Sequence, residues 1–290
     1  MHIPAGAMRA PPETYLQSGR VFKQISALAM STTSAAEPPG PPVLTVAGAR
    51  ATIRLNRPRH HNRIETGDIA ALCGQFARIE ADRRIRVLVL AADGRTFCSG
   101  FNLEELAPDR YDETAPGFDR MVDQLEALRV PTVCAVNGSL YGGGTDLALA
   151  CDFRIGVAGI ALMMPASRIG VHYYYGGLRR YVTRLGIGAA KRLFLTAETL
   201  EADELVRIGF LDALVPADEL AARVDALAER LAAHSPAAVQ GMKRALNRIA
   251  AGTADAAEIE RAWRASMRSA DVAEGLKAHA EKRPPKFGDP

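Results

Sequence analysis

The sequence predicts an α/β fold, on three observations. Apolar strand-like runs and helical stripes alternate through the first two thirds of the chain. The run Val87-Leu88-Val89-Leu90 has no polar alternation, as a parallel strand covered on both faces requires. From Leu178 onward helical patterns dominate, so a helical section follows the sheet. Such alternation implies right-handed crossovers between parallel strands.

The chain has 290 residues, enough for one large domain or two small ones. Its composition, 48% hydrophobic and 24% charged, is that of a soluble globular protein. The net charge of +3 is small and the basic residues are dispersed, so a nucleic-acid partner is not expected. Nor is a membrane partner, because no apolar run approaches the roughly 20 residues of a spanning helix. The four cysteines, Cys73, Cys98, Cys134 and Cys151, lie far apart in apolar segments without zinc-type spacing. They are expected to be buried thiols of a cytoplasmic protein.

Residues 1–42 are expected to be a disordered extension. They contain several prolines, including the run Pro38-Pro39-Gly40-Pro41-Pro42, which can enter neither a helix interior nor a ladder. Arg9, Arg20 and Lys23 against Glu13 resemble a transit peptide faintly; initiation at Met30 is the simpler account. Val43 to Val46 and Ala51 to Leu55 then form a hairpin across Gly48, and Asn56 to Asn62 a polar loop. Ile69, Leu72, Cys73, Phe76 and Ile79 recur at helical spacing and make one core-facing stripe. After the Val87 strand comes a strand–glycine–helix junction, Gly94 to Leu103, followed by a Pro-bearing loop from Pro108 to Gly117 and a helix from Phe118 to Leu128. Pro131 to Val136 reads as a buried strand, and Thr145 to Cys151 as a short apolar helix containing one carboxylate, Asp146. Strands are expected at Asp152 to Val157 and Ala161 to Met164, and an aromatic loop at Gly170 to Gly177. Leu220, Val224, Leu227 and Leu231 form a later stripe. Val239 to Ile249 and Ala256 to Met267 add further helix, with Trp263 and Met267 one turn apart and able to meet a neighbour.

The chemistry gathers at the two strand–glycine–helix junctions, at Gly100 and at Gly142-Gly143-Gly144, about forty residues apart. Each can present a backbone N–H to a ligand, and a helix starting there adds the positive end of its dipole. Two such donors aimed at one oxygen make an oxyanion hole. A tight turn with no ligand is the alternative account of either junction alone.

In these residues the chain resembles the crotonase superfamily, the enoyl-CoA hydratases, isomerases and their relatives. The resembling strings are Leu55-Asn56-Arg57-Pro58 with Asn62; Phe97-Cys98-Ser99-Gly100-Phe101-Asn102-Leu103; Val136-Asn137-Gly138 through Asp146-Leu147-Ala148; Cys151-Asp152; Glu274-Gly275-Leu276; and Glu281 through Phe287. They run in the family's order from about Val43 to the C-terminus. The resemblance implies a ββα spiral core over residues 43–235 and a C-terminal helical trimerisation region over 236–290. It also implies a homotrimer or dimer of trimers, and an acyl-CoA substrate whose adenine end lies near the first loop. No cofactor is implied, since coenzyme A arrives with the substrate, and no metal. By position, the amides of Phe101 and Gly143 are the oxyanion donors, with Asp146 and Tyr173 as catalytic side chains. Substrate contacts are implied for His61, Arg63, Ser99, Asn102, Leu103, Gly142, Pro165, Ala166 and Lys282.

Several positions depart from the family's pattern. Hydratases of this family use two glutamates. The first maps to Asp146, shorter in reach by about one C–C bond, ~1.5 Å. The second maps to Ala166, whose methyl group moves no proton, so hydration by two carboxylates is in question. Asn102 replaces an acidic residue, and Arg63 an alanine beside the expected coenzyme A contact. Relatives lacking the second glutamate decarboxylate malonyl-type thioesters or hydrolyse them, and in those a tyrosine three residues after the loop glycine sits in the pocket. Counting from Gly170, that residue is Tyr173, with His172 or Arg168 behind it; a plain hydrophobic wall or subunit contact is the alternative for this loop. His60 and His61 have no third ligand nearby in sequence, which argues against a metal.

The leading expectation is therefore an acyl-CoA enzyme of hydratase/isomerase type. Decarboxylation or thioester hydrolysis on the same hole, and a non-catalytic acyl-CoA-binding or protein-binding member, stay open. A serine hydrolase built on Ser99, His172 and Asp146 lacks the G-x-S-x-G elbow. A nicotinamide enzyme lacks the G-x-G-x-x-G spacing.

Overall fold

The computed structural model describes residues 39–106 and 117–288. The expected extension thus lies outside the described residues as far as residue 38, and so does nearly all of the Pro108–Gly117 loop. Residues 39–42 are tied to the fold: Gly40 N–H donates to the Asn56 carbonyl at 2.9 Å, and the Gln75 side-chain amide to the Pro42 carbonyl at 2.6 Å.

Two sheets carry the architecture. In the first, β1 (Val43–Ala47) pairs antiparallel with β2 (Arg50–Leu55). Parallel neighbours follow in the order β3 (Val87–Ala92), β5 (Thr132–Val136), β7 (Phe153–Val157) and β10 (Ala213–Val215). The second, smaller sheet runs β4 (Thr96–Cys98), β6 (Ser139–Tyr141), β8 (Ala161–Met163) and β9 (Thr199–Glu201). Each turn of the chain therefore gives one strand to each sheet and then a helix. β3 and β4 precede α2 (Phe118–Ala127); β5 and β6 precede α3 (Gly143–Ala150); β7 and β8 precede α4 (Tyr175–Lys191). The first turn follows the same plan in reduced form, with β2, a single parallel bridge from Ile64 to Phe101, and α1 (Thr66–Ala81). This is the ββα spiral.

Sequence and burial agree closely in the interior. β3 and β5 are almost wholly buried, as their unbroken apolar runs require. On α1, Ile69, Leu72, Phe76 and Ile79 are buried, and Cys73 lies at the edge of the stripe. Glu65 and Asp68 cap this helix reciprocally, and Arg57 reaches Asp68 with two nitrogens at 2.9 and 3.0 Å.

Four elements differ from the sequence reading. β6 and β9, of three residues each, are too short to give a periodic signal. Helix α3 begins at Gly143 rather than Thr145, because Gly142 already turns the chain at φ +51, a conformation that glycine accepts readily. The aromatic loop ends at Tyr174, since Tyr175 opens α4.

Toward the C-terminus come α5 (Ala202–Arg207), α6 (Leu220–Ala233), α7 (Pro236–Ala250), α8 (Ala256–Ser266) and α9 (Ala270–Ala280). Lys243 on α7 is buried and donates to the Val130 carbonyl at 2.8 Å, with Asp152 at 2.7 Å, which fastens this helix to the sheet domain. Met242, Leu246, Ile249, Trp263, Met267 and Leu276 are exposed along these last helices. Among the described residues no helix is long and apolar enough to cross a membrane.

Candidate active site

The parallel strands end together, and the two glycine junctions leave from those ends. After β4 the chain passes through Gly100 at φ +90. A Cβ built there would stand 2.7 Å from the backbone nitrogen of Gly143 and 2.9 Å from the Tyr141 carbonyl oxygen. Only a residue without a side chain lets these two turns touch, so the glycine is a requirement of the contact. Phe101 follows directly. Its neighbours fix it: Ile64 N–H donates to the Gly100 carbonyl at 2.8 Å, and Asn102 N–H to the Ile64 carbonyl at 2.9 Å. Phe118 covers the other side, its ring tip 2.7 Å from where a Gly143 Cβ would lie, and it meets the Phe101 ring at 6.2 Å between centroids.

Asp146 lies one helical turn beyond Gly143 on the same face of α3 and is completely buried. Four donors converge on its carboxylate. Arg180 Nε donates to Oδ1 at 2.9 Å and Arg180 Nη2 to Oδ2 at 3.1 Å. The Tyr173 hydroxyl donates to Oδ2 at 3.2 Å, and the Tyr174 hydroxyl to the same oxygen. A carboxylate offers about four lone-pair sites, so little of its accepting capacity is left.

Arg180, itself completely buried, spreads its remaining donors over neighbouring elements. Nη1 reaches Asp123 at 2.6 Å and Glu126 at 3.2 Å on α2, and Nη2 reaches the Tyr174 hydroxyl at 3.1 Å. Arg179 pairs with Glu126, and Arg184 lies 3.8 Å from it. The three arginines thus face three carboxylates, Asp123, Glu126 and Asp146, leaving no uncompensated charge. Burial opposes the charge of Arg180, yet the hydrogen bonds and field of Asp146 outweigh it and raise the guanidinium above its ordinary value. Burial first, then the Asp146 charge, push the Tyr173 and Tyr174 hydroxyls well above the usual tyrosine value. Both therefore remain proton-bearing donors. Tyr173 stacks on Tyr174 at 4.7 Å and leans on Phe194 at 5.1 Å between ring centroids.

The other expected residues distribute as follows. Gly142 caps α3 and lies under Pro165, which itself caps the short 3-10 turn Ala166–Ile169. Ala166 is buried there. Ser99 is half-buried and donates its N–H to the His61 carbonyl at 2.9 Å; His61 Nδ1 lies 2.9 Å from the Thr96 hydroxyl. Asn102 is buried and fastened to Glu105 at 3.2 Å, while Leu103 beside it is exposed. Arg63 is held by Glu65 at 3.1 Å. Lys282 is exposed at φ +53 in the C-terminal segment, which ends against Arg86 at the start of β3; the glycine junctions follow the far ends of the strands. Among the described residues no group of three or more His, Cys, Asp or Glu is placed to hold a metal.

Two participants escaped the sequence reading: Arg180 and Tyr174. Arg180 did carry a signal, a charge next to Tyr181 and Leu178 in a helix that must cover a sheet, but its partners Asp123, Glu126 and Asp146 come from elements 34 to 57 residues away.

Comparison with known proteins agrees with this architecture. The profile of the family described as enoyl-CoA hydratase/isomerase matches residues 46–290. The short-chain-enoyl-CoA hydratase of Clostridium acetobutylicum is 30% identical over 210 residues, covering 71% of this chain and 80% of its own. Crotonyl-CoA hydratase of Syntrophomonas wolfei is 29% identical over 243 residues, covering 82% and 94%. The crystal structure of enoyl-CoA hydratase from Bacillus anthracis matches with a TM-score of 0.79 at 28% identity, covering 87% of this chain and 100% of that one.

Proposed function

The chain belongs to the enoyl-CoA hydratase/isomerase family, and from that premise we propose that it stabilises the enolate of an acyl-CoA thioester between the backbone amides of Phe101 and Gly143. The observation that carries this reading is the approach of the two junctions, with the absent Cβ of Gly100 only 2.7 Å from Gly143 N. Polarising the thioester carbonyl there spreads the charge that forms when the α carbon gains an electron pair. One donor of such a hole is typically worth about 10²–10³-fold in kcat. Among the described residues neither amide donates a backbone hydrogen bond within the surrounding turns, which supports their being directed at a ligand. His61, Arg63 and Ser99 then border the coenzyme side; Phe101, Pro165 and Ala166 border the acyl side.

Hydration of an enoyl thioester fits the family, and it asks Asp146 to activate water. Decarboxylation is favoured by two specific observations: Ala166 supplies no acid or base, and Asp146 already accepts four hydrogen bonds. In that reaction the C–CO₂ bond breaks, its electron pair enters the enolate, and a proton from Tyr173 closes the α carbon. No strong base takes part. Thioester hydrolysis would use the same hole.

The deciding experiment offers crotonyl-CoA and methylmalonyl-CoA to the protein and follows enoyl absorbance and CO₂ release, with acetyl-CoA affinity measured by calorimetry. Turnover of the first selects hydration and of the second decarboxylation. Acetyl-CoA affinity with no turnover selects a binding-only member, and absence of affinity overturns the acyl-CoA reading. The exposed apolar residues of α7 to α9 support assembly into a trimer or a dimer of trimers, which light scattering measures directly.

A further inference from the structure

We propose that Arg180 is a positioning residue of the reaction, one that withdraws Asp146 from proton transfer and makes it the anchor aiming the Tyr173 hydroxyl at the substrate. This rests on the acyl-CoA reading above and identifies its proton donor. The ground is geometric. A carboxylate that is to accept a proton or hold a water needs free lone pairs facing the ligand. Asp146 instead meets the guanidinium edge-on through both oxygens, and Oδ2 also accepts from two tyrosines.

Every element around Arg180 contributes to this arrangement. Asp123 and Glu126 come from α2, Asp146 from α3, Tyr173 and Tyr174 from the loop before α4, and Arg179, Tyr181 and Arg184 from α4 itself. The two acidic residues on α2 hold Nη1, so the guanidinium cannot rotate away from Asp146. Close packing keeps the loop in register: a Cβ on Gly177 would lie 2.3 Å from the Tyr173 ring and 2.9 Å from Asp146 Oδ2.

The chemistry then reads as follows. Asp146 stands one turn from Gly143 on one face of α3, a separation of about 5–6 Å between such positions. On this assignment the Tyr173 hydroxyl, 3.2 Å from Asp146 Oδ2, faces the site of the enolate. The Tyr173 hydroxyl turns its proton from Asp146 Oδ2 to the substrate; its O–H bond then breaks, a C–H bond forms at the α carbon, the enolate's electron pair makes that bond, and the thioester carbonyl is restored. The phenolate recovers its proton from water. Transfer runs downhill, because a thioester enolate carbon is far more basic than a phenolate.

A double-mutant cycle tests this. Wild type, R180M, R180K, Y173F and R180M/Y173F are compared for kcat and KM on methylmalonyl-CoA and crotonyl-CoA, and for acetyl-CoA affinity by calorimetry. The expected result is a kcat loss of at least about tenfold in both R180M and Y173F with KM changed less than about threefold. The double variant should be no worse than the weaker single one, and R180K should recover most of the rate. Losses that multiply in the double variant overturn the proposal, as does full activity in Y173F or an R180M effect confined to KM. If R180M does not fold, the cycle is run with R180Q and Y173F on the same criterion. Acetyl-CoA affinity without turnover overturns the proton-donor assignment and leaves the binding reading intact; loss of affinity in wild type overturns both.

Discussion

Arg180 and Asp146 meet through paired contacts, Nε to Oδ1 at 2.9 Å and Nη2 to Oδ2 at 3.1 Å, with neither side chain exposed to solvent. Breaking such a pair leaves a buried charge without its partner, at a typical cost of about 3–5 kcal/mol. Asp146→Ala should therefore lower the melting temperature by about 10 °C, besides reducing turnover at least about tenfold. Calorimetric melting checks the first figure, and acetyl-CoA affinity should be retained wherever the variant is folded.

Gly100→Ala probes the contact between the two junctions. The methyl group would stand 2.7 Å from Gly143 N, on a backbone at φ +90. Strain of that kind costs about 1–3 kcal/mol, and displacing one donor should lower kcat by about 10²-fold. A variant with wild-type kcat would remove this contact from the catalytic account.

Alkaline titration reads the tyrosine cluster. Burial, then the charge of Asp146, raise Tyr173, Tyr174 and Tyr181 above the unfolded value of about 10. Above that pH the unfolded chain loses these protons while the folded chain keeps them. The contribution of these tyrosines to stability is therefore fully present below about pH 10 and is lost as pH rises beyond it. Phenolate absorbance should show these three of the seven tyrosines silent until the fold opens.

At the other end of the pH scale the C-terminal segment responds. Arg283, followed by the Lys286 N–H, holds the Glu274 carboxyl down at about 2. Its contribution is present above the unfolded carboxylate range near ~4.3 and is lost as pH falls toward about 2. Hydrogen-exchange protection of residues 281–288, measured relative to unfolded peptide at the same pH, should fall across that window, and Glu274→Gln should abolish that pH-dependent loss.

Thiol reactivity gives a simple check on the core. Burial pushes the Cys98 thiol up to about 12 and raises Cys134 well above its ordinary value. Cys151 is buried as well. Native protein should release only the half-buried Cys73 to an alkylating reagent, and slowly, since burial raises that thiol too.

Much of this molecule was legible in the residues themselves. Unbroken apolar runs announced β3 and β5, and the stripe from Ile69 to Ile79 announced α1. Gly100 and Gly142 marked the two junctions, and each turns the backbone at positive φ. The three-residue strands β6 and β9 left no trace, because alternation needs a longer window to rise above chance. Asp146 was visible as a carboxylate in an apolar helix. Its engagement by Arg180 was not, since nothing along the chain tells which of many arginines will reach a given acid through the fold.

The bridge between Ile64 and Phe101 is a single rung, yet it welds two distant stretches of chain into one rigid piece. The loop of residues 56–64 cannot shift without carrying the Phe101 amide along. A long, hinged ligand that pressed on that loop with its far end would thereby set the alignment of the group at its near end. Grip and readiness to react would be a single mechanical event.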